Sequence, residues 1–260
     1  MKKTLIALTF GLASLSASHA ITLLTSGSTT QNFDTLVSSG STTWVDNSTL
    51  TGWYAQRTGN GTQIVATNGS LNGGSLYSAG TTGSSDRAIG SLGSSNAAAG
   101  SFAWGVQFQN NSGGNLTFNT LSYVGEEWRS GATAAQTVTF WYQISSSAIT
   151  SLTPNVDTGW TAVTALDFTS PNITGTGQID GTLSANQVAL SSNLNLTLTQ
   201  GQYIMFRWSD IDHPSSDDLL AVDDFKVSYT AVPEPTTTAM LLGGVGAMFW
   251  IIRRKRSIKA

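Results

Sequence analysis

The sequence predicts an all-β protein, a β-sandwich or jelly roll, with an N-terminal signal peptide before it and a single C-terminal hydrophobic helix after it. Three observations predict this. Apolar and polar residues alternate at period 2 over several short runs, as in half-buried strands. No stretch between residues 21 and 230 keeps a helical period over a dozen residues. Clusters of Gly, Asn and Ser separate the runs, and such clusters end strands and open turns. Short strands punctuated in this way favour packed antiparallel sheets.

The chain opens with Lys2 and Lys3, an apolar run from Leu5 to Leu15, and the triplet Ser18-His19-Ala20. These are the parts of a secretory signal peptide, so residues 1–20 are expected to leave and Ile21 to become the first mature residue. Strands are then expected at 31–37, 52–57, 62–66 and 86–92, with the Gly/Ser-rich stretch 67–100 forming long loops around short strands. Between residues 101 and 110, Phe102, Trp104, Val106 and Phe108 share one face, and Ala103, Gly105, Gln107 and Gln109 the other, where Gln107 is expected to be exposed or to face a groove. A strand over 116–128 follows. Val138, Phe140, Tyr142 and Ile144 then alternate with Thr137, Thr139, Trp141 and Gln143. A strand at 160–166 precedes Leu194, Leu196 and Leu198, which alternate with Asn195, Thr197 and Thr199. Gln200-Gly201 between that run and 202–208 reads as a tight hairpin. A strand at 218–230 closes a single β domain over 21–230.

Composition excludes several functions. From residue 21 to 230 there are five basic residues (Arg57, Arg87, Arg129, Arg207, Lys226) against fourteen acidic ones, a net charge of −9. A nucleic-acid binder needs a basic footprint, which is missing here, so no nucleic-acid partner is expected. There is no cysteine, which removes thiol nucleophiles and Cys–zinc sites. His213 is the only histidine outside the signal peptide, so multi-histidine metal centres are excluded. Glu126-Glu127 is the best glycosidase candidate, but adjacent strand residues point to opposite faces and cannot flank one sugar by themselves; one of them with Asp210 or Asp212 could, but nothing in the sequence places them together. No Gly-x-Ser-x-Gly elbow and no phosphate-binding loop is present. Catalysis is therefore not expected.

The tail is the most specific motif. Val232-Pro233-Glu234-Pro235 is followed by an apolar stretch over 236–252 and then by Arg253-Arg254-Lys255-Arg256. The prolines forbid helix and hold an extended segment. The seventeen residues from Thr236 to Ile252 lie at the lower limit for crossing a bilayer. The basic stop places the C-terminus in the cytoplasm by the positive-inside rule. An extended motif, a short hydrophobic helix and a basic stop at the extreme C-terminus resemble the PEP-CTERM sorting signal of Gram-negative bacteria. The resemblance covers residues 231–260. It implies retention in the inner membrane until an exosortase-type processing enzyme cuts near the Pro-Glu-Pro motif, and then release to the envelope or outside. An uncut single-span anchor is the alternative.

A second resemblance concerns the ends of the mature domain. Gln31-Asn32-Phe33-Asp34 near the start and Leu220-Ala221-Val222-Asp223-Asp224-Phe225 near the end are similar to jelly-roll carbohydrate-binding modules and related extracellular sandwiches. Strand parity sets Asp223 on the side of Ala221, Phe225, Val227 and Tyr229, where a bare carboxylate is costly. It can accept backbone N–H bonds or pair with an arginine, or it can bind calcium. The resemblance implies a structural calcium shared by paired end-strand acids, here Asp34 and Asp223. Asp210 and Asp212 form an Asp-x-Asp start of a calcium loop, but the Gly and Glu that complete one are missing. The plainer reading of the whole group, Asp210, Asp212, Asp217 and Asp218, is solvated turn aspartates, since Asp is favoured in turns. Trp53, beside a turn, and Trp141, on the polar parity of its strand, are the candidate glycan contacts.

These readings describe an exported cell-envelope or extracellular-matrix protein, a non-catalytic surface or adhesive component sorted by an exosortase-type system. Its expected partners are the processing enzyme, the inner membrane during sorting, and extracellular polysaccharide. A lectin-like carbohydrate-binding protein is the alternative, and a glycoside hydrolase the third reading.

Overall fold

The computed structural model describes residues 20–131 and 133–232. Residues 1–19 of the expected signal peptide, Pro233–Pro235 of the sorting motif, the hydrophobic stretch 236–252 and the basic stop 253–256 lie outside these described residues. Among them no helix is long and apolar enough to cross a membrane.

Sixteen strands occur among the described residues. In chain order they are β1 (Ile21–Leu23), β2 (Gly27–Gln31), β3 (Ser41–Thr43), β4 (Trp53–Arg57), β5 (Gln63–Thr67), β6 (Ser75–Ala79), β7 (Ala88–Leu92) and β8 (Phe102–Asn110). They continue as β9 (Leu116–Ser130), β10 (Thr137–Ser145), β11 (Thr161–Ala162), β12 (Phe168–Thr169), β13 (Gly177–Gln178), β14 (Gln187–Leu198), β15 (Tyr203–Asp210) and β16 (Leu219–Ala231). Two single-turn 3₁₀ segments, at Thr164–Leu166 and Ser184–Asn186, are the only helical pieces among the described residues.

The strands form two open sheets. The seven-stranded sheet runs β1-β8-β15-β10-β11, with β12 also on β10 and β4 also on β8. The nine-stranded sheet runs β13-β9-β16-β7-β6-β5-β3, with β14 also on β9 and β2 also on β16. Most pairings are antiparallel. The exceptions are β1 with β8 and β5 with β6.

The expected parity places the core. Phe102, Trp104, Val106, Phe108, Val138 and Phe140 are fully buried, with Tyr142 and Ile144 packed against them. They meet Phe118, Leu121, Tyr123, Val222 and Phe225 from the other sheet. Aromatic rings interlock across the gap. Trp208 stacks on Trp53 at 5.9 Å and meets Phe140, Tyr123 and Phe225 edge-on. Offset and edge-on contacts suit the ring quadrupoles.

Three expectations are corrected. First, Gln200-Gly201 is not a hairpin. β14 pairs with β9 in one sheet, and β15 pairs with β8 and β10 in the other. The turn arches between sheets because the residues on both sides bury into the same core from opposite walls. Second, the parity of β16 does not run through. The strand bulges between Asp223 and Lys226, with Asp224 at φ 49°. Leu220 and Val222 face the main core before the bulge; Phe225 and Val227 face it afterwards. Asp223 therefore lies on the side of Leu219 and Ala221, which join a second cluster with Tyr77 and Trp128. One inserted residue exchanges the faces, as a bulge must. Third, Gln107 is fully buried. The segment 146–160 straps over its face of the smaller sheet, and the Ile149 N–H donates to Gln107 Oε1 at 2.5 Å.

Arg207 anchors that strap from below. It is fully buried on β15 and donates to the carbonyls of Leu152 and Val156, each at 2.9 Å, and to Asp157 Oδ1 at 2.5 Å. Its guanidinium also lies 4.2 Å from the Trp160 ring and 5.5 Å from that of Trp141. Planar, weakly hydrated Arg suits this combination of carbonyl bonding and ring stacking.

Candidate functional site

The main concave feature is a cleft of about 590 Å³. It lies where β9 ends and β16 begins. Arg129, Ser130, Asp212, His213, Ser216 and Asp217 are among its lining residues. The sandwich builds it locally. β9 runs on to Ser130, and the chain between β15 and β16 folds back with the His213 N–H on Asp217 Oδ1 at 3.1 Å. The Asp212 N–H donates to Ser101 Oγ at 2.9 Å, and the Gly131 N–H to Asp218 Oδ1 at 2.8 Å. The Nε2 of His213 is buried without a hydrogen-bond partner.

The aspartates behind the cleft are not solvated turn residues. Asp210, Asp217 and Asp218 are all buried. Desolvation, with the neighbouring Asp charges adding to it, pushes Asp210 up to about 8 and Asp217 up to about 7. A hydrogen bond from Ser91 opposes this at Asp210. Buried Glu127 is also pushed up to about 7, first by desolvation, although its Oε2 accepts two bonds from Asn172 at 2.8 and 3.0 Å.

A second acidic group surrounds the bulge of β16. Desolvation pushes Asp223 up to about 8 and Glu126 up to about 7; the charges of Asp86 and Asp224 add to both shifts, and that of Glu126 adds to the shift at Asp223. Glu126 accepts from Trp128 Nε1 and Gln187 Nε2, both at 2.9 Å. Asp223 Oδ1 accepts the Asp224 N–H at 2.7 Å, the backbone-bonded alternative of the sequence reading. Asp34 is exposed and accepts from Asn32 Nδ2 at 2.6 Å and the Arg87 N–H at 3.3 Å. Among the described residues, no three His, Cys, Asp or Glu side chains converge as a preformed metal cage.

Trp53 is corrected from surface contact to core. It is 1% exposed, edge-on to Phe33 and Phe225. Trp141 is half-buried, with its Nε1 donating to Thr139 Oγ1 at 2.8 Å. Sequence reasoning missed Arg129 as a cleft residue, since nothing in its neighbourhood marks it. Glu126 and Glu127 take different partners from opposite sides of β9, as adjacent strand residues do.

The cleft and the exit of the chain at Val232 lie at opposite ends of β16. Leu219 pairs with Arg129 beside the cleft, whereas Ala231 pairs with Leu116 at the far end of β16. Thirteen residues of strand at about 3.3 Å each separate them by roughly 40 Å. Val232, whose N–H donates to the Asn115 carbonyl at 2.8 Å, leads into the tail.

The architecture and its tail define the class: a β-sandwich domain followed by a C-terminal export-sorting signal. Residues 231–256 match the PEP-CTERM protein-sorting motif. This signal marks an exported protein, anchored transiently in the membrane and sorted to the cell envelope. A search of the curated proteins found no match. Among solved structures, the chain is similar to the K2 cleaved adhesin domain of Lys-gingipain, at 13% identity over 78% of this chain and 99% of that one, TM-score 0.38. The K3 domain of Lys-gingipain from Porphyromonas gingivalis w83 matches at 14% identity over 68% and 91%, TM-score 0.39. TmCBM61, solved with β-1,4-galactotriose, matches at 10% over 69% and 88%, TM-score 0.32.

Proposed function

We propose that this protein is a non-catalytic surface or adhesive component of the cell envelope or extracellular matrix, delivered by exosortase-type processing of its tail. The single observation that carries the reading is the sorting motif over residues 231–256, set directly after the last strand of a complete sandwich. Export is the role of both ends of the chain. The carboxylates best suited to sugar hydrolysis are held by local hydrogen bonds on opposite sides of one strand, which supports a role without catalysis. Deleting Val232 to Ala260 and fractionating an exosortase-containing host tests the delivery step. The truncated domain should appear in the soluble exported fraction, and unchanged envelope sorting would sink the reading.

The cleft supports a lectin-like function as the second reading. Its carboxylate, guanidinium and hydroxyl groups match the alternating donors and acceptors of a polyhydroxylated ligand, and it lies at the pole away from the membrane exit. Arg129→Ala should abolish any signal of the domain on a polysaccharide array. A binding signal that survives this change would assign it elsewhere. Calcium belongs to the same proposal as a counter-charge for the buried carboxylates. An ion bound only by the folded state raises stability by mass action, so chelator should lower the melting temperature and Asp223→Ala should remove that response. Melting that ignores both would leave hydrogen bonds as the whole account of Asp223.

A further inference from the structure

We propose that β14 is an assembly edge, through which two copies of this domain join their nine-stranded sheets. β14 has twelve residues and pairs only with β9. Its other edge meets no strand among the described residues. The other strands paired on one side only are much shorter: β2 and β4 have five residues each, β1 and β3 three each, and β11, β12 and β13 two each. Short edges expose little unpaired backbone. A long edge exposes the N–H and C=O groups of every second residue, and proteins usually guard it with lysine, proline or a covering segment.

β14 lacks charge and proline. No charged residue occurs between Asp180 and Arg207, and neither does a proline. Its one irregularity is the register shift between Asn193 and Leu196, around Asn195 at φ 51°. That leaves Gln187–Asn193 as an uninterrupted ladder. Val188, Leu190, Leu194 and Leu196 pack against the core but remain only partly buried. The 3₁₀ segment Thr164–Leu166 packs against β14 and β10 and puts Leu166 into the core, while the aliphatic row of β14 beside it stays only partly covered.

A second copy fits this edge better than a charged partner. Elsewhere the domain is strongly acidic, so two copies repel except along an uncharged surface. A twofold axis perpendicular to the sheet sets β14 antiparallel to itself, supplies the missing backbone partners, and keeps both aliphatic rows on the same side. Such an isologous contact closes at two copies. It also turns the second copy end for end, so the two Val232 exits point in opposite directions. Two chains tethered in one membrane cannot adopt it; released chains can.

The test uses residues 21–232, which hold both sheets and the whole described core. Sedimentation at micromolar concentration should give twice the single-domain mass. Ala189→Lys with Ser191→Lys, both on exposed side chains, sets like charges opposite one another and should return the single mass with one cooperative melting transition, whose midpoint no longer depends on protein concentration. The native chain has no cysteine, so single thiols report cleanly. Of Ala189→Cys, Ser191→Cys and Asn193→Cys, at least one should cross-link to a dimer, while exposed Thr42→Cys on β3 should not. A single-domain mass for the unaltered fragment overturns the proposal. So does a dimer that survives the lysine pair, or cross-linking no better on β14 than on β3. Cross-linking through β14 by full chains still anchored in one membrane would overturn the antiparallel arrangement while leaving tail-directed sorting intact.

Discussion

Phe140 and Thr139 are neighbours on β10 with opposite roles. Phe140 is fully buried between Trp208, Phe206 and Tyr123, whereas Thr139 is half-buried on the other face. Phe140→Ala should cost roughly 3–5 kcal/mol in chemical denaturation, the range for removing a buried aromatic. Thr139→Ala should cost well under that, and equal losses would reverse the assigned faces. The buried acids act in a different way. Glu126, Glu127, Asp210, Asp217 and Asp223 are all pushed up, to between about 7 and about 8, mainly by desolvation. A carboxyl with a raised folded-state pKa holds its proton more tightly in the native state. Its stabilising contribution is complete below the ordinary carboxylate range and is lost as pH rises toward about 8. In chelator, the melting temperature should therefore fall between pH 5 and pH 9. A rise over that interval would mean that positive charge, not desolvation, dominates around these groups.

At the scale of elements, the strap 146–160 depends on one buried cation. Arg207→Met would leave the carbonyls of Leu152 and Val156 without their donor, and each buried acceptor left unsatisfied costs roughly 1–3 kcal/mol. Limited proteolysis should then cut within 146–158. Asp157 is 51% exposed, so Asp157→Asn should cost at most about 1 kcal/mol and leave the strap protected. Cutting in both variants, or in neither, would contradict this division of labour. Strand periodicity made β8, β9, β10 and β16 legible in the sequence, because a long strand repeats its signal. It could not reveal the strap, whose burial comes from contacts distant in sequence and whose residues have no period. Nor could it reveal the bulge at Asp224, a single non-glycine residue in the left-handed region, which reversed the assignment of Asp223. Gln200-Gly201 has hairpin chemistry, and only the choice of partner strands separates a hairpin from an arch. Trp53 failed for a related reason: its turn neighbour Gly52 hid a strand pairing with β8 that draws the indole inward.

For the whole molecule, β16 links the two regions that matter. Its beginning borders the cleft, and its end leads into the sorting tail roughly 40 Å away. A domain anchored at Val232 therefore holds its cleft outward. The sorting motif was legible because it is a local string of prolines, apolar residues and charges. The cleft was not, because it is assembled from β7, β9 and the β15–β16 connection. The measurement that tests the central claim most directly is the intact mass of the protein recovered from the envelope of an exosortase-containing host. The account predicts a chain that begins at Ile21 and ends near Pro233–Pro235, without the hydrophobic stretch 236–252. A surface-exposed product that still carries Thr236–Ala260 would contradict it.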